Sequence, residues 1–136
     1  MKELLLDANV LVRFLVHDDP RQSNAATALF ERAERREATL QLEAFVVAET
    51  VYLLLGRYGR SRSEVANVLL AIIQNAGVET IDKEVVLDAL QRFGNVNVDF
   101  SDAWLAARAA QLGCAVASFD RDLDKFKDIK RFEPTA

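Results

Sequence analysis

Glycine, proline, cysteine and histidine are all scarce in this chain of 136 residues, which holds 5 glycines, 2 prolines, 1 cysteine and 1 histidine. So little glycine and proline excludes a collagen-like or low-complexity chain. The single cysteine, Cys114, cannot form an internal disulfide, which fits a reducing compartment. The absence of a histidine or cysteine cluster argues against a zinc site.

Long apolar runs and an excess of basic residues are also missing. The longest apolar run, FVVAETVYLLL over residues 45–55, is interrupted by Glu49 and is too short to span a membrane. Asp7 comes too early for a secretory signal, so we expect a cytoplasmic protein. Lysine and arginine number 17 against 21 acidic residues, and the net charge is −4. This balance argues against a simple basic nucleic-acid-binding module, but not against an enzyme whose positive charge comes from metal ions.

The pattern of apolar residues predicts an α/β fold in one domain over residues 1–136. Strands alternate with helices, which predicts parallel βαβ units with helices packed on the sheet. In such sheets functional groups collect beyond the carboxyl ends of the strands, where Asp7 and Asp120 are expected. We predict strands at residues 3–6, 39–42, 78–81, 115–118 and 129–132. We predict helices at about 9–16, 21–36, 44 to Gly56 or Gly59, Ser61 or Ser63 to 75, 82–93 and 99–113.

Glu49 is the acidic residue that is hardest to explain as ordinary surface. Its neighbours at helical spacing are all apolar or aromatic, and Arg57 lies eight residues further along the chain. An unpaired carboxylate in a buried helix is costly, and its pKa shifts until it is neutral. The pattern therefore predicts a buried helix with a positive partner for Glu49 from elsewhere.

The other acidic residues have ordinary structural explanations when each is taken alone. Asp7 suits a turn or helix N-cap, and Asp102 suits the first turn of a helix, where the helix dipole favours it. Asp120 suits a solvated turn. The segment DRDLD superficially resembles a calcium loop, but Lys125 stands where that loop needs glycine.

Taken together, Asp7, Glu49, Asp102 and Asp120 favour a metal site. If these carboxylates converge at one edge of the sheet, protonation or a divalent cation must relieve their repulsion. Oxygen ligands alone suit Mg²⁺ or Mn²⁺. Such ions lower the pKa of a bound water and stabilise the oxygens of an in-line displacement at phosphorus.

Three segments in this order resemble the PIN-domain nucleases, and among them the VapC-like toxins of prokaryotic toxin–antitoxin pairs. They are LLLDANVLVRFL, VVAETVYLL and DFSDAWLAARAAQLGCAVASFDRDLDKF, which together span nearly the whole chain. The resemblance implies a three-layer α/β/α fold with a five-stranded parallel sheet. It also implies an endoribonuclease dependent on Mg²⁺ or Mn²⁺, a homodimer, and silencing by a cognate antitoxin.

The resemblance carries over to particular residues of this chain. It implies that Asp7, Glu49, Asp102 and Asp120 are catalytic and bind the metal, with Asp99 a further candidate ligand. Supporting positions are Asn9, Ser118 and Asp122. The chain departs from the common family pattern in two places, with Glu43-Ala44 before the Glu49 helix and Ser118-Phe119 before Asp120.

Two rival functions remain open. One is a non-catalytic PIN-like module that binds metal or RNA, which would bind divalent ions tightly without cleaving RNA. The other is a receiver-type phosphoacceptor domain, which needs paired acids after the first strand. Here a single Asp7 follows that strand, and the strand before Asp82 brings no other pocket residues.

Overall fold

The computed structural model describes residues 2–136, which divide into two compact units. The first unit runs to Lys83 and the second begins at Glu84. No helix among the described residues combines the length and the apolar character that crossing a membrane requires.

The first unit alternates strands and helices around a parallel sheet of three strands in the order β1-β2-β3. Leu4 pairs with Leu40, and Leu40 pairs in turn with Val78, so β2 is the central strand. Alternate residues of β2 are buried. The elements are β1 (Lys2–Leu5), α1 (Ala8–Leu15), α2 (Pro20–Glu34), β2 (Ala38–Leu42), α3 (Ala44–Gly56), α4 (Arg62–Ile73) and β3 (Val78–Thr80).

Local capping chemistry explains where these helices begin. Pro20 occupies the first turn of α2, where its missing N–H leaves no bond unmade, and the Asp19 side chain accepts from the Gln22 N–H at 3.1 Å. Ser61 and Glu64 form a reciprocal capping box at the start of α4. These caps lie in the sequence itself, which is why the helix positions were predictable.

Close packing of α2 explains one glycine of the first unit. A Cβ placed on Gly77 would lie 2.5 Å from the Cβ of Ala33, so no larger residue fits there without movement. Nearby in the same unit, the rings of Phe14 and Phe30 stack with centroids 4.1 Å apart.

The second unit is built on two helices and a pair of very short strands. Its elements are α5 (Lys83–Asn95, beginning at the last residue of the first unit), α6 (Phe100–Leu112), β4 (Val116–Ala117), a 3-10 helix (Arg121–Lys125) and β5 (Arg131–Phe132). Gly113 ends α6 in the left-handed conformation, with φ 68°, that favours glycine. Ala109, Val116 and Leu123 form a buried cluster that Ile129 helps to cover.

The α/β class and the parallel pairing are confirmed, but the expected single five-stranded sheet is wrong. The strands form one parallel sheet of three and one parallel pair, β4 with β5. The reason is length: β4 and β5 contain two residues each, so each offers few backbone groups for a ladder. Their pairing is carried by the Val116 and Ser118 N–H groups, which donate to the carbonyls of Lys130 and Phe132.

Candidate functional site: an acidic cluster on the second unit

Three carboxylates of the second unit lie together. Oxygen atoms of Asp102, Asp120 and Asp122 all fall within 4.8 Å of one another. Asp102 is buried, Asp122 is half-buried and Asp120 is exposed. The arrangement therefore forms a shallow acidic cluster that is open to solvent on the Asp120 side.

Two helix starts place these side chains. Asp102 lies in the first turn of α6, and its N–H donates to the Asp99 carbonyl at 3.1 Å. Asp120 precedes the 3-10 helix, and its Oδ1 accepts from the Asp122 N–H at 2.9 Å. The Asp120 N–H donates in turn to the Ser118 Oγ at 2.9 Å. Backbone geometry thus holds Asp120 and Asp122 side by side.

The pKa of Asp102 is raised in this cluster. Burial of its carboxyl group raises the pKa of Asp102 to about 6, and the charges of Asp120 and Asp99 act in the same direction. A hydrogen bond with the Asp120 side chain favours the protonated form further. Near neutral pH the cluster therefore holds negative charge that repels itself.

One cation lies beside the cluster. The Lys125 Nζ is 3.2 Å from the Asp122 Oδ1 and also donates to the Asn97 carbonyl at 2.9 Å. This pair is largely exposed, with side-chain exposures of 45% and 46%, so its attraction is weakened by solvent. Lys125 partly neutralises Asp122 and leaves the repulsion between Asp102 and Asp120 in place.

The donor set of the cluster fits a hard divalent cation. Carboxylate oxygens are the preferred ligands of Mg²⁺ and Mn²⁺, whereas zinc sites use histidine and cysteine. Ligands at about 2.1 Å in octahedral geometry lie roughly 3 to 4.2 Å apart, so the three oxygens need only small side-chain movements to share one ion. Burial is the main cause of the raised pKa of Asp102, and a cation would relieve the repulsion from Asp120 and Asp99 that adds to it.

The structure places Asp7 and Asn9 in the first unit, where Asp7 caps α1. The Asp7 Oδ1 accepts from the Ala8 N–H at 2.9 Å, and the Asn9 Nδ2 donates to the Asp7 Oδ2 at 3.4 Å. The side chain of Asp7 is exposed. The ordinary N-cap role considered for Asp7 is therefore real, and one of its oxygens is engaged only weakly.

Glu49 also lies in the first unit, and its expected burial is wrong. Glu49 is exposed on the outer face of α3, where Phe45 and Tyr52 flank it with exposures of 64% and 49%. The buried side of α3 carries Val47 and Val51 instead. The apolar run misled because its aromatic residues face solvent, so a charge between them needs no partner for folding.

Asp122 is the residue whose position the sequence understated. It was expected only to support the site, yet its carboxylate lies at ligand distance with Asp102 and Asp120. The spacing of Asp120 and Asp122 carried this signal. A helix-capping residue accepts a hydrogen bond from the N–H two positions further on, which brings the side chains of Asp120 and Asp122 together. Asp99 acts on the cluster through its charge.

Comparison with known proteins assigns the family. No curated protein matches the chain significantly. The family model described as PIN domain matches residues 4–129, which includes all the acidic residues discussed above. PIN domains are generally nucleases that use divalent metal ions. A match over nearly the whole length shows that this chain belongs to the PIN-domain family.

Proposed function

We propose that this chain is a Mg²⁺- or Mn²⁺-dependent endoribonuclease and the toxin component of a toxin–antitoxin pair. The observation that carries the proposal is the cluster of Asp102, Asp120 and Asp122 in a chain of a nuclease family. A surface with carboxylates this close is unfavourable unless a cation or a proton offsets the charge. Metal-dependent phosphodiester hydrolysis is the chemistry that such a site best supports.

In this proposal the residues of the cluster bind and orient. A divalent ion held there would lower the pKa of a water and stabilise the oxygens of the phosphodiester. Asp102 and Asp120 would hold the ion, and Asp122 would share in the ligation. The Asp120 N–H donates to the Ser118 Oγ at 2.9 Å, and this hydrogen bond fixes the backbone of Asp120. The position of the Asp120 carboxylate is therefore set by the fold. The proposed products carry a 5′-phosphate and a 3′-hydroxyl.

Asp7 and Glu49 belong to the proposal as further catalytic and metal-binding residues. The resemblance of their segments to the family motifs supports this role. Two structural features agree with it: both carboxylates are exposed, and Asn9 donates a hydrogen bond to Asp7. Asp99 remains a candidate ligand because its charge helps to raise the pKa of Asp102.

The cleavage experiment uses structured RNAs with Mg²⁺, Mn²⁺ or EDTA. Wild-type protein is compared with Asp7→Asn and Glu49→Gln, and with Glu31→Gln as a control at another exposed glutamate of the same unit. We expect cleavage only with metal, abolished in the two site variants and retained in the control. Cleavage indifferent to metal and to Asp7→Asn would refute the proposal.

The folding of Glu49→Gln separates a catalytic role from a structural one. Because Glu49 is exposed, its substitution should leave the urea unfolding midpoint unchanged. Loss of fold in this variant would show that Glu49 is structural. Tight binding of divalent ions by the wild type without any RNA cleavage would favour the non-catalytic binding module instead.

The proposed partners are RNA, a cognate antitoxin and a second copy of the chain in the cytoplasm. Exposed apolar side chains such as Leu112 at 66% and Phe119 at 72% support a covered surface in the assembly. Light scattering would give the molar mass of the purified protein. A small gene immediately upstream, encoding a protein that inhibits cleavage, would identify the antitoxin.

A further inference from the structure

Two segments of the second unit meet at the acidic cluster. Asp102 comes from the start of α6, whereas Asp120 and Asp122 come from the start of the 3-10 helix. Both segments bring negative charge to the same place, and like charges favour separation. A contact other than those between carboxylates must therefore help to hold the two segments together.

The side chain of Lys125 bridges these two segments. Its Nζ donates to the carbonyl of Asn97, in the loop before α6, at 2.9 Å. The same Nζ lies 3.2 Å from the Oδ1 of Asp122 on the 3-10 helix. An ammonium group has three donors, so it can make both contacts at once and leave one donor for solvent. Lys125 therefore links the segment that carries Asp102 to the segment that carries Asp122.

Buried side chains fix both ends of this bridge. Leu123 and Phe126 flank Lys125 and are both buried, and the Phe126 N–H donates to the Leu123 carbonyl at 3.2 Å. On the other segment, Val98 follows Asn97 and is buried as well. Because close-packed side chains hold the backbone at both ends, the bridge joins two fixed points.

The contact between Lys125 and Asp122 is open to exchange. Both side chains are nearly half exposed, and solvent makes an ion pair of this kind weak. Arg92 of the same unit differs, because its side chain is only 13% exposed and its guanidinium donates to both Asp88 and Asp128. A competing cation can therefore take Asp122 from Lys125, whereas the contacts of Arg92 belong to the permanent structure.

We propose that Lys125 is a positioning residue that competes with a divalent ion for the carboxylate of Asp122 and thereby lowers the affinity of the cluster for metal. An ion ligated by Asp122 brings two positive charges close to the ammonium group, and the two cations repel each other. The ion displaces the ammonium group from Asp122, while the hydrogen bond to Asn97 keeps Lys125 beside the cluster. This inference rests on the proposed function, since it concerns how tightly the same site binds its metal.

The chemistry of lysine suits this exchange. Its ammonium group is a compact charge on a flexible stem, so it can leave one acceptor and keep another. An arginine would hold the carboxylate of Asp122 through two parallel hydrogen bonds. Arginine at position 125 should therefore compete with the ion at least as well as lysine does, whereas a neutral residue should not compete.

The test measures Mn²⁺ binding by the full chain without RNA. Isothermal titration with MnCl₂ compares the wild type with Lys125→Gln and Lys125→Arg. Lys127→Gln is the matched control, because it removes the same charge two positions further along the chain. The Lys127 Nζ donates to the Asp124 carbonyl at 3.2 Å. Urea unfolding in EDTA checks that each variant is folded.

We expect Lys125→Gln to bind Mn²⁺ about three- to tenfold more tightly than the wild type, since it removes a positive charge a few ångströms from the ion in a site that solvent screens. Lys125→Arg should bind as weakly as the wild type or more weakly. Lys127→Gln should stay within about twofold of the wild type. The gain in Lys125→Gln should shrink between about 0.05 and 0.5 M NaCl, because salt screens the repulsion.

A double-mutant cycle tests whether Lys125 acts through Asp122. Asp122→Asn removes the charge for which the ammonium group and the ion compete. In that background Lys125→Gln should change the Mn²⁺ affinity by about twofold or less. Equal fold-changes in the two backgrounds would show that Lys125 acts at long range, against the inference.

The direction of the change separates this role from a purely structural one. If Lys125 only held the two segments together, Lys125→Gln would bind Mn²⁺ more weakly than the wild type, and that result would overturn the inference. Unchanged binding, an equal gain in Lys127→Gln, or tighter binding by Lys125→Arg would overturn it as well.

Cleavage assays keep the two proposals distinguishable. Metal-dependent RNA cleavage together with unchanged Mn²⁺ affinity in Lys125→Gln would leave the proposed nuclease standing and overturn the role of Lys125. Tighter Mn²⁺ binding by Lys125→Gln without any RNA cleavage would support the role of Lys125 and count against the nuclease. Absence of Mn²⁺ binding in both the wild type and Lys125→Gln would overturn both proposals.

Discussion

The segment DRDLD contains three aspartates that meet opposite surroundings within five residues. Asp120 and Asp122 face the carboxylate of Asp102, whereas Asp124 faces Arg131, whose Nε donates to it at 3.0 Å. The hydrogen bond from Arg131 lowers the pKa of Asp124, while burial and neighbouring charge raise the pKa of Asp102 to about 6.

The aspartates of one short helix therefore differ in whether the fold neutralises their charge. Arg131 also donates to Glu133 at 2.9 Å and to the Ser118 carbonyl at 3.1 Å, so it ties β5 to the chain just before Asp120. Asp124 is therefore satisfied by the fold itself. The Asp102 cluster is not satisfied by the fold, and a group in this condition is a candidate for function.

The largest effect on RNA cleavage is expected from neutralising an aspartate of the cluster, compared with neutralising Asp124. Asp120→Asn should reduce metal-dependent RNA cleavage by about 100-fold or more, as removal of one preorganised catalytic group commonly does. Asp124→Asn should retain cleavage within a few-fold, because Asp124 lies outside the cluster. The measurement is the initial rate at saturating Mg²⁺. Equal losses in the two variants would show that the cluster has no special part in the reaction.

Metal affinity should depend on pH through Asp102. A cation requires the ionised carboxylate, and with a pKa near 6 Asp102 is mostly protonated at pH 5. Mn²⁺ should therefore bind about tenfold more weakly at pH 5 than at pH 7. Isothermal titration in buffers of different ionisation heat would detect the released proton. Asp102→Asn should bind weakly at both pH values with no proton release.

The stability of the metal-free protein should reveal the cost of ionising the buried carboxyl group of Asp102 beside other acids. The folded-state pKa of Asp102 lies above its ordinary value of 3.8, so the penalty is absent below pH 3.8 and complete above pH 6. Asp102→Asn should raise the free energy of unfolding at pH 8 by ~1–2 kcal/mol, less than the full pKa shift implies because solvent screens the exposed Asp120. Urea unfolding in EDTA at pH 4 and pH 8 tests this, and a variant less stable at pH 8 would contradict it.

The smallest effect is expected from disrupting the ion pair of Asp124 and Arg131. The pKa of Asp124 is lowered in the folded protein, so the stability it contributes is present above its ordinary value of 3.8 and is lost as the pH falls below it. Arg131→Gln should lower the urea midpoint at pH 7, and the difference from wild type should shrink toward pH 3. A difference that stays constant with pH would assign the role of Arg131 to packing.

Most helices and strands of this chain were predictable because their signals are local. Pro20, Ser61 and Gly113 mark helix ends through capping and backbone geometry, and the predicted boundaries agree with the structure to within a few residues. Where prediction failed, the missing information was not local. The separation of the strands into two sheets and the exposure of Glu49 depend on which surfaces pack against which.

The candidate site shows the same division. The sequence predicted that Asp7, Glu49, Asp102 and Asp120 would carry the chemistry together, with Asp7 and Asp120 at the ends of strands, where functional groups of parallel sheets collect. It did not predict that Asp122 would join Asp102 and Asp120 at ligand distance, nor that Asp124 would be claimed by Arg131. The alternating acids of DRDLD look equivalent in sequence.

By itself, then, the amino-acid sequence determined the element order, the supply of acidic side chains without a histidine or cysteine cluster, and the family, since these depend on residue types and on contacts between near neighbours. Only the tertiary structure decided which carboxylates repel one another and which are neutralised. The reason is physical: a pKa responds to burial and to charges within a few ångströms, and both are set by residues that are distant in the chain. Asp102 and Asp120, eighteen positions apart, acquire their shared charge problem only when the second unit folds.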